Sequence, residues 1–477
     1  MICWSGSRKP LHVWPETAIL SRTIGCCVAG FPLQKWLPMR LPESAFALVL
    51  CLGTSVVCAA DWPQWRGPFF NGATDEVGLP TQFSRTENVA WSADLSGAAA
   101  STPIVSQDHV FLSGIDAARD TLLAQCFDRH SGRLLWQHDV ARGIQKDDRS
   151  NYASSSPVTD GKLVVFFFGS GQLACYDLAG KSLWARDLRD DYGEFAFLWT
   201  FSSSPLLLRE KLFVQVLQRD EAVEGRGLQG RENESYLLAL DPPTGRTLWR
   251  HVRPSEAVAE SREAFTTPVP CGASGHEQLL VAGGDALSAH DPDTGKELWR
   301  WGNWNPQRIG HWRLVTSPVA GSGVALVCGP KGEPVYAVKT NGAGALDDRI
   351  LAWTSDGARE VSSDVPTPAY YDGDFFVLSD VRRQLSRVES TTGKVKWTKS
   401  TPGRTKYEAS PLAADGKIYV VNFDGQVAIF RADNGELVNV VAMDEPGEGE
   451  KVRASVIAAH GQLFIRTTRK LYCVGKN

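Results

Sequence analysis

The chain has 477 residues, a formal net charge of −4, and 43% hydrophobic against 22% charged residues. That balance belongs to a globular chain, and it is not basic enough for a nucleic-acid footprint. The 44 glycines and 26 prolines suit a fold with many tight turns.

Residues 1–38 carry neither a signal-peptide pattern nor a domain pattern. A start at Met39 gives a compact leader: Arg40, the apolar run 45–57, then Val57-Cys58-Ala59-Ala60 as small residues for cleavage before Asp61. The run is short for a membrane span. The expectation is export by a signal peptide to the periplasm or beyond, with no membrane span in the mature chain. A membrane-anchored form is the alternative. A lipid anchor at Cys58 is disfavoured by Ser55-Val56-Val57 before it.

Beyond residue 90 one phrase recurs. Ala239-x-Asp241-x-x-Thr244-Gly245-x-x-x-Trp249 returns as Ala289-x-Asp291-x-x-Thr294-Gly295-x-x-x-Trp299. Looser copies are Cys126-x-Asp128 with Ser131-Gly132 and Trp136, Asp177 with Gly180 and Trp184, and Thr392-Gly393 with Trp397. A period near 45 residues means one supersecondary unit stacked many times, and this overrides the several domains that length alone suggests. Each unit opens on a small-residue signal ending in proline: Ser101-Thr102-Pro103, Ser155-Ser156-Pro157, Ser203-Ser204-Pro205, Thr266-Thr267-Pro268, Thr316-Ser317-Pro318, Pro366-Thr367-Pro368 and Ala409-Ser410-Pro411. Arg453-Ala454-Ser455 is a degenerate eighth. A β-rich run follows, then a second strand, a turn with glycine, and the tryptophan strand, which makes four short antiparallel strands per unit.

Radial repetition of such units makes a β-propeller. The tryptophan strands carry Trp91, Trp136, Trp184, Trp249, Trp299, Trp353 and Trp397, with Asn439 in the seventh unit's slot. The eighth unit stops after about three strands, so the strand around Trp91 is expected to finish it and leave no open edge. The predicted fold is all-β: an eight-bladed propeller of four-stranded antiparallel blades, closed by the N-terminal strand. The expected division is 1–60 extension and signal peptide, 61–90 a segment leading to the closing strand, and 91–477 the propeller. The tryptophans read as structural blade-docking residues, burying large area between neighbours. Past the cleavage point five cysteines remain: Cys126, Cys175, Cys271, Cys328 and Cys473. They read as buried thiols rather than a disulfide framework.

These residues resemble the tryptophan-docking repeat of pyrroloquinoline-quinone (PQQ) propellers, over nearly all of 91–477. The family implied contains quinoprotein alcohol and sugar dehydrogenases, and non-catalytic propellers such as BamB-like assembly proteins. Asp61-Trp62-Pro63-Gln64-Trp65-Arg66-Gly67-Pro68 resembles the mature N-terminus of secreted PQQ-like propellers. The dehydrogenase branch implies PQQ with Ca²⁺ and a carboxylate base. Its adjacent cysteine pair has a counterpart only at Cys26-Cys27, upstream of the mature chain, and no CxxCH haem motif is present.

Polar and aromatic side chains collect just before the inner strands, at one end of the expected channel: Tyr152, Trp199, Trp312, Arg313, Asp364, Tyr407, Glu408 and Arg453, with Asp191 and Glu194 nearby. Arg313 and Arg453, with Trp312 and Tyr407, are candidates for holding an anionic ligand such as a quinone carboxylate. Glu408 and Asp364 are candidate metal ligands or bases. The competing reading is a funnel lining in which arginines pair with carboxylates. Two segments break the repeat: the charged insertion 219–234, and 300–313, whose Trp301, Trp304 and Trp312 suggest a binding surface. The expected function is a non-catalytic binding or scaffolding module outside the cytoplasm, partnered by envelope proteins or a small funnel ligand. The alternative is a PQQ-dependent dehydrogenase oxidising an alcohol or sugar.

Overall fold

A computed structural model describes residues 60–476 apart from 274, 358, 359, 446, 448 and 449. The expected leader and Cys26-Cys27 lie outside the described residues. Eight sheets of four antiparallel strands, one of them with a short fifth strand, follow one another around a channel. Blade 1 comprises Ile104–Ser106, His109–Asp116, Thr121–Asp128 and Leu134–Arg142. Blade 8 comprises Ile457–Ala459, Gln462–Arg466 and Lys470–Val474, completed by Val89–Asp94 with Trp91 opposite Cys473. The first strand of the ring therefore closes the last sheet.

Burial follows position within the blade. A second strand such as Leu163–Phe167 is buried throughout, because both faces meet other blades. The fourth strand, such as Ser182–Asp187, keeps one edge in water and is only half covered. A register shift recurs between the third and fourth strands, for example between Ala239 and Leu240 and between Ala289 and His290. It falls just before the turn aspartate, and such bulges re-aim the side chains beyond them. Asp128 and Asp291 fix their turns by accepting backbone N–H groups, from Ser131 at 2.8 Å and from Thr294 at 2.8 Å.

The indoles fasten each blade to the next. The Nε1–H of Trp91 donates to the carbonyl of Arg129 at 2.7 Å, Trp136 to Leu178 at 3.0 Å, and Trp184 to Pro242 at 2.7 Å. Trp249 donates to Pro292, Trp353 to Ser390 and Trp397 to Ala432. Asn439, in the slot that lacks an indole, donates instead to the carbonyl of Thr81 in the N-terminal segment. Trp299 departs from the pattern: it donates to Oε1 of Gln278 in its own blade. The turn that would receive it is replaced by a longer excursion, whose short strand Gly344–Ala345 pairs in parallel with Glu297–Trp301. All five cysteines among the described residues are free and buried.

Two of the three tryptophans of the 300–313 segment correct their sequence reading, while Trp312 is half-exposed. Trp301 and Trp304 are 1% and 4% exposed. They pack against each other, and the Trp301 N–H donates to Asp348 at 2.9 Å. They fill a core and offer no surface to a partner. The 219–234 insertion is pinned by Arg219 on Glu263, by Arg262 on Asp220 and by Asn233 on Leu228.

Candidate functional site: a cationic cup on the propeller axis

The Ser/Thr that ends each unit's opening signal, before a proline in seven units and before Val456 in the eighth, builds the wall of the channel. The amide of Thr102 donates to the hydroxyl of Ser156, Ser156 to Ser204, Ser204 to Thr267, and Thr267 to Ser317. Ser317 then donates to Thr367, Thr367 to Ser410, Ser410 to Ser455, and Ser455 back to Thr102. All eight bonds measure 2.8–3.1 Å, forming a closed girdle with one bond per blade junction. The sequence marked these residues as unit starts, but not their mutual bonding.

The N-terminal segment closes one end of the channel. Trp62 pairs with Val105 on blade 1, and the carbonyl of Pro63 receives the Thr159 amide on blade 2. Farther on, the carbonyl of Asn71 receives the Tyr370 amide on blade 6, and Ala73 pairs with Ala413 on blade 7. The segment thus crosses a diameter of the ring. Trp65 faces the cavity from below. The buried Arg66 donates to the carbonyls of Pro368 and Pro411, at 2.7 and 3.0 Å.

What remains is a cup of about 240 Å³, with seven of the girdle residues on its wall. Around it stand Arg149, Arg313, Lys331, Lys406 and Arg453, against Asp364 and Glu408. Five cations facing two carboxylates, in a chain of net charge −4, concentrate positive potential on the axis. Arg313 pairs with Glu260 at 3.0 Å, and Glu260 also accepts the Trp199 N–H at 2.9 Å. Arg453 pairs with Glu408 and lies 4.7 Å from the Phe423 ring centre. Arg149 lies over Trp199 at 5.3 Å. Arg149, Lys331 and Lys406 make no ion pair with a described carboxylate. Burial lowers the pKa of the Lys331 ammonium, with Asp364 opposing that effect.

Of the sequence candidates, Trp199, Arg313, Asp364, Glu408 and Arg453 meet at the cup. Tyr407 does not: it is 0% exposed and its hydroxyl donates to the carbonyl of Pro402. It sits between Lys406 and Glu408, and neighbours in extended chain point to opposite sides. Trp312, next to Arg313, likewise lies outside the lining, as does Tyr152. Asp191 pairs with Arg186, and Glu194 with Arg189. Arg149, Lys331, Lys406 and Trp65 were missed. Lys331 comes from a turn inside blade 5, Pro330–Gly332, rather than from a loop before an inner strand.

The cup has the cations that the carboxylates of a quinone need. For calcium, which takes about six to eight oxygen ligands, its lining offers two carboxylates, Asp364 and Glu408, and the rest would have to come from hydroxyls, carbonyls or water. Glu408 is paired with Arg453, and Oδ1 of Asp364 accepts the Lys331 amide at 2.6 Å. Among the described residues, three convergent His or carboxylate donors occur at the junction of blades 3 and 4, away from the cup. No helix of the described residues is long and apolar enough to cross a membrane.

No curated protein matches the chain significantly. Among solved structures, the quinohemoprotein alcohol dehydrogenase of Comamonas testosteroni is 14% identical with a TM-score of 0.59, covering 87% of this chain and 81% of that one. BamB from Moraxella catarrhalis is 13% identical with a TM-score of 0.53, covering 80% and 98%. A europium-containing methanol dehydrogenase is 10% identical with a TM-score of 0.63, covering 87% and 98%. At these identities the likeness is one of fold. A family profile described as outer membrane protein assembly factor BamB matches residues 77–219 and 233–474, interrupted at the charged insertion. Matched through nearly the whole ring, the chain belongs to this BamB-like family of PQQ-type propellers.

Proposed function

We propose that the protein is an exported, non-catalytic binding module whose axial cup takes a small polyanionic ligand. The observation that carries this reading is the trio Arg149, Lys331 and Lys406, cations at the cup without a carboxylate partner among the described residues. Unpaired cations around a concave, half-enclosed site attract anions and reject cations. The floor made by Trp65 favours a captured ligand over a through-channel. Export rests on the leader pattern before Asp61. Envelope proteins as partners rest on kinship with BamB.

The test is calorimetric titration of the mature chain with PQQ and, separately, with citrate. Dye reduction is followed in parallel with Ca²⁺, alcohols and aldoses. The expected result is one ligand per chain, weaker in high salt, abolished in Arg149→Ala/Lys331→Ala/Lys406→Ala, and no turnover. A chain that binds neither polycarboxylate would sink the ligand reading. Turnover with PQQ would replace the binding module by a dehydrogenase.

A further inference from the structure

The rim between blades 3 and 4 departs from its counterpart between blades 1 and 2. At both junctions a histidine stands two residues after the docking tryptophan: His138 after Trp136, and His251 after Trp249. At both, that imidazole meets the residue just before the next blade's turn aspartate. His138 stacks on Tyr176, with centroids 4.5 Å apart and planes at 3°. His251 meets His290 edge-on at 5.1 Å and 66°.

Their hydrogen bonding differs. Nε2 of His138 bonds the carbonyl of the turn residue Gly180 at 2.7 Å. The corresponding carbonyl, that of Gly295, is occupied by Nδ1 of His290 at 3.0 Å. Nε2 of His251 is consequently buried with no partner. The slot of His290 holds Phe127, Tyr176, Leu240, Val388 and Phe430 in other blades. An imidazole there, 0% exposed, is a departure from the repeat, and it creates the orphaned nitrogen.

The same departure assembles a donor set. Donation from Nδ1 to Gly295 fixes the His290 tautomer and leaves a lone pair on Nε2, with Ser288 Oγ 2.9 Å away. Glu297 stands opposite His290 across the strand pair. Donor atoms of His251, His290 and Glu297 lie within 4.8 Å of one another.

We propose that His251, His290 and Glu297 form a zinc site that cross-links blades 3 and 4. Two imidazoles and a carboxylate are a donor set that zinc accepts, with the fourth position left to Ser288 Oγ or water. Calcium and magnesium prefer oxygen alone. Donors around tetrahedral zinc lie about 3.4 Å apart, so these three draw inward, and the half-buried His251 and Glu297 have room to do so. Arg300 donates to both oxygens of Glu297, at 2.9 and 2.6 Å, and remains as the outer partner that orients it. Arg253 donates to Ser288, Gly283 and Ala286; its charge opposes a cation here and the Glu297 carboxylate offsets it. The site is separate from the cup and does not rest on the reading of it.

The experiment uses the full chain, stripped with a chelator and dialysed against zinc chloride alone. One bound equivalent per chain is expected, with a zinc-dependent rise in Tm. His290→Leu, the residue of blade 3, and His251→Ala should lose both while keeping the wild-type circular dichroism. Glu297→Gln should weaken binding about tenfold or more. Cobalt(II) in the wild-type chain should give tetrahedral d–d bands without a thiolate charge-transfer band. A folded, stripped chain that takes up no zinc overturns the proposal. So does full binding by both histidine variants, or a thiolate band that moves the ion to a cysteine.

Discussion

The backbone amide of Ser455 donates to the hydroxyl of Thr102 at 3.0 Å, joining the last blade to the first. It is the closing link of a girdle in which each hydroxyl accepts a buried amide of its neighbour. Thr102→Val keeps the shape and removes the acceptor, leaving the Ser455 N–H without a partner. The expected loss is about 1–3 kcal/mol, read from denaturant unfolding, with faster hydrogen exchange at Ser455. Unchanged exchange there would show that the link contributes nothing.

The indole docking makes a sharper contrast between two glycines. A Cβ on Gly393 would lie 2.6 Å from Cδ2 of Trp353, and its φ is +74°. Gly416 has a similar φ of +65° with nothing within 4 Å. Gly416→Ala should therefore cost about 1–2 kcal/mol from backbone strain. Gly393→Ala should cost roughly 1–3 kcal/mol more from overpacking. Equal losses in thermal unfolding would mean that the indole contact is loose.

At the cup, binding and folding separate by residue. Arg453→Ala leaves the Glu408 carboxylate, 7% exposed, without its partner. That should destabilise the chain by about 3 kcal/mol as well as weaken polyanion binding. Lys406 has no such partner, so Lys406→Ala should shift stability by under about 0.5 kcal/mol and still weaken binding. Titration beside a denaturation curve for each variant checks both halves.

Asp380 predicts a pH dependence. Burial raises its pKa to about 6; the Asp364 amide opposes this, while the Asp364 and Glu408 charges reinforce it. Its second oxygen has no partner. Unfolded aspartate titrates near 3.9. Between about pH 4 and 6 the unfolded chain releases this proton first, so stability falls as pH rises, by at most about 3 kcal/mol. Asp380→Asn should flatten that decline in Tm across this window. An unaltered decline would assign it to other groups.

Much of the fold was legible because its signals are local. Asp291, Thr294, Gly295 and Trp299 lie within one hairpin, and each copy repeats the same turn chemistry. The cup was only partly legible, because its members converge across blades. Glu408 and Arg453 could be guessed from their place before an inner strand. Tyr407 could not be separated from its neighbours without knowing which way the extended chain faces. Lys331 reaches the cup from a turn inside a blade, and Trp65 from a segment outside the repeat, so neither had a periodic marker. Trp301 and Trp304 looked like a surface because they interrupt the pattern. The Gly344–Ala345 excursion that accompanies their burial lies about forty residues downstream.

The pairing of Asp94 with Lys470, 376 residues apart, also sets an order of events. The strand that leaves the ribosome first has no seat until nearly the last one is made. Until then Trp91 and its neighbours are apolar surface without a cover, the state in which long-range β pairing is slow and prone to association. Completion therefore behaves as a clasp. Loss of a few residues from either side of that junction should unfasten the same sheet, and the two deletions should produce one shared phenotype.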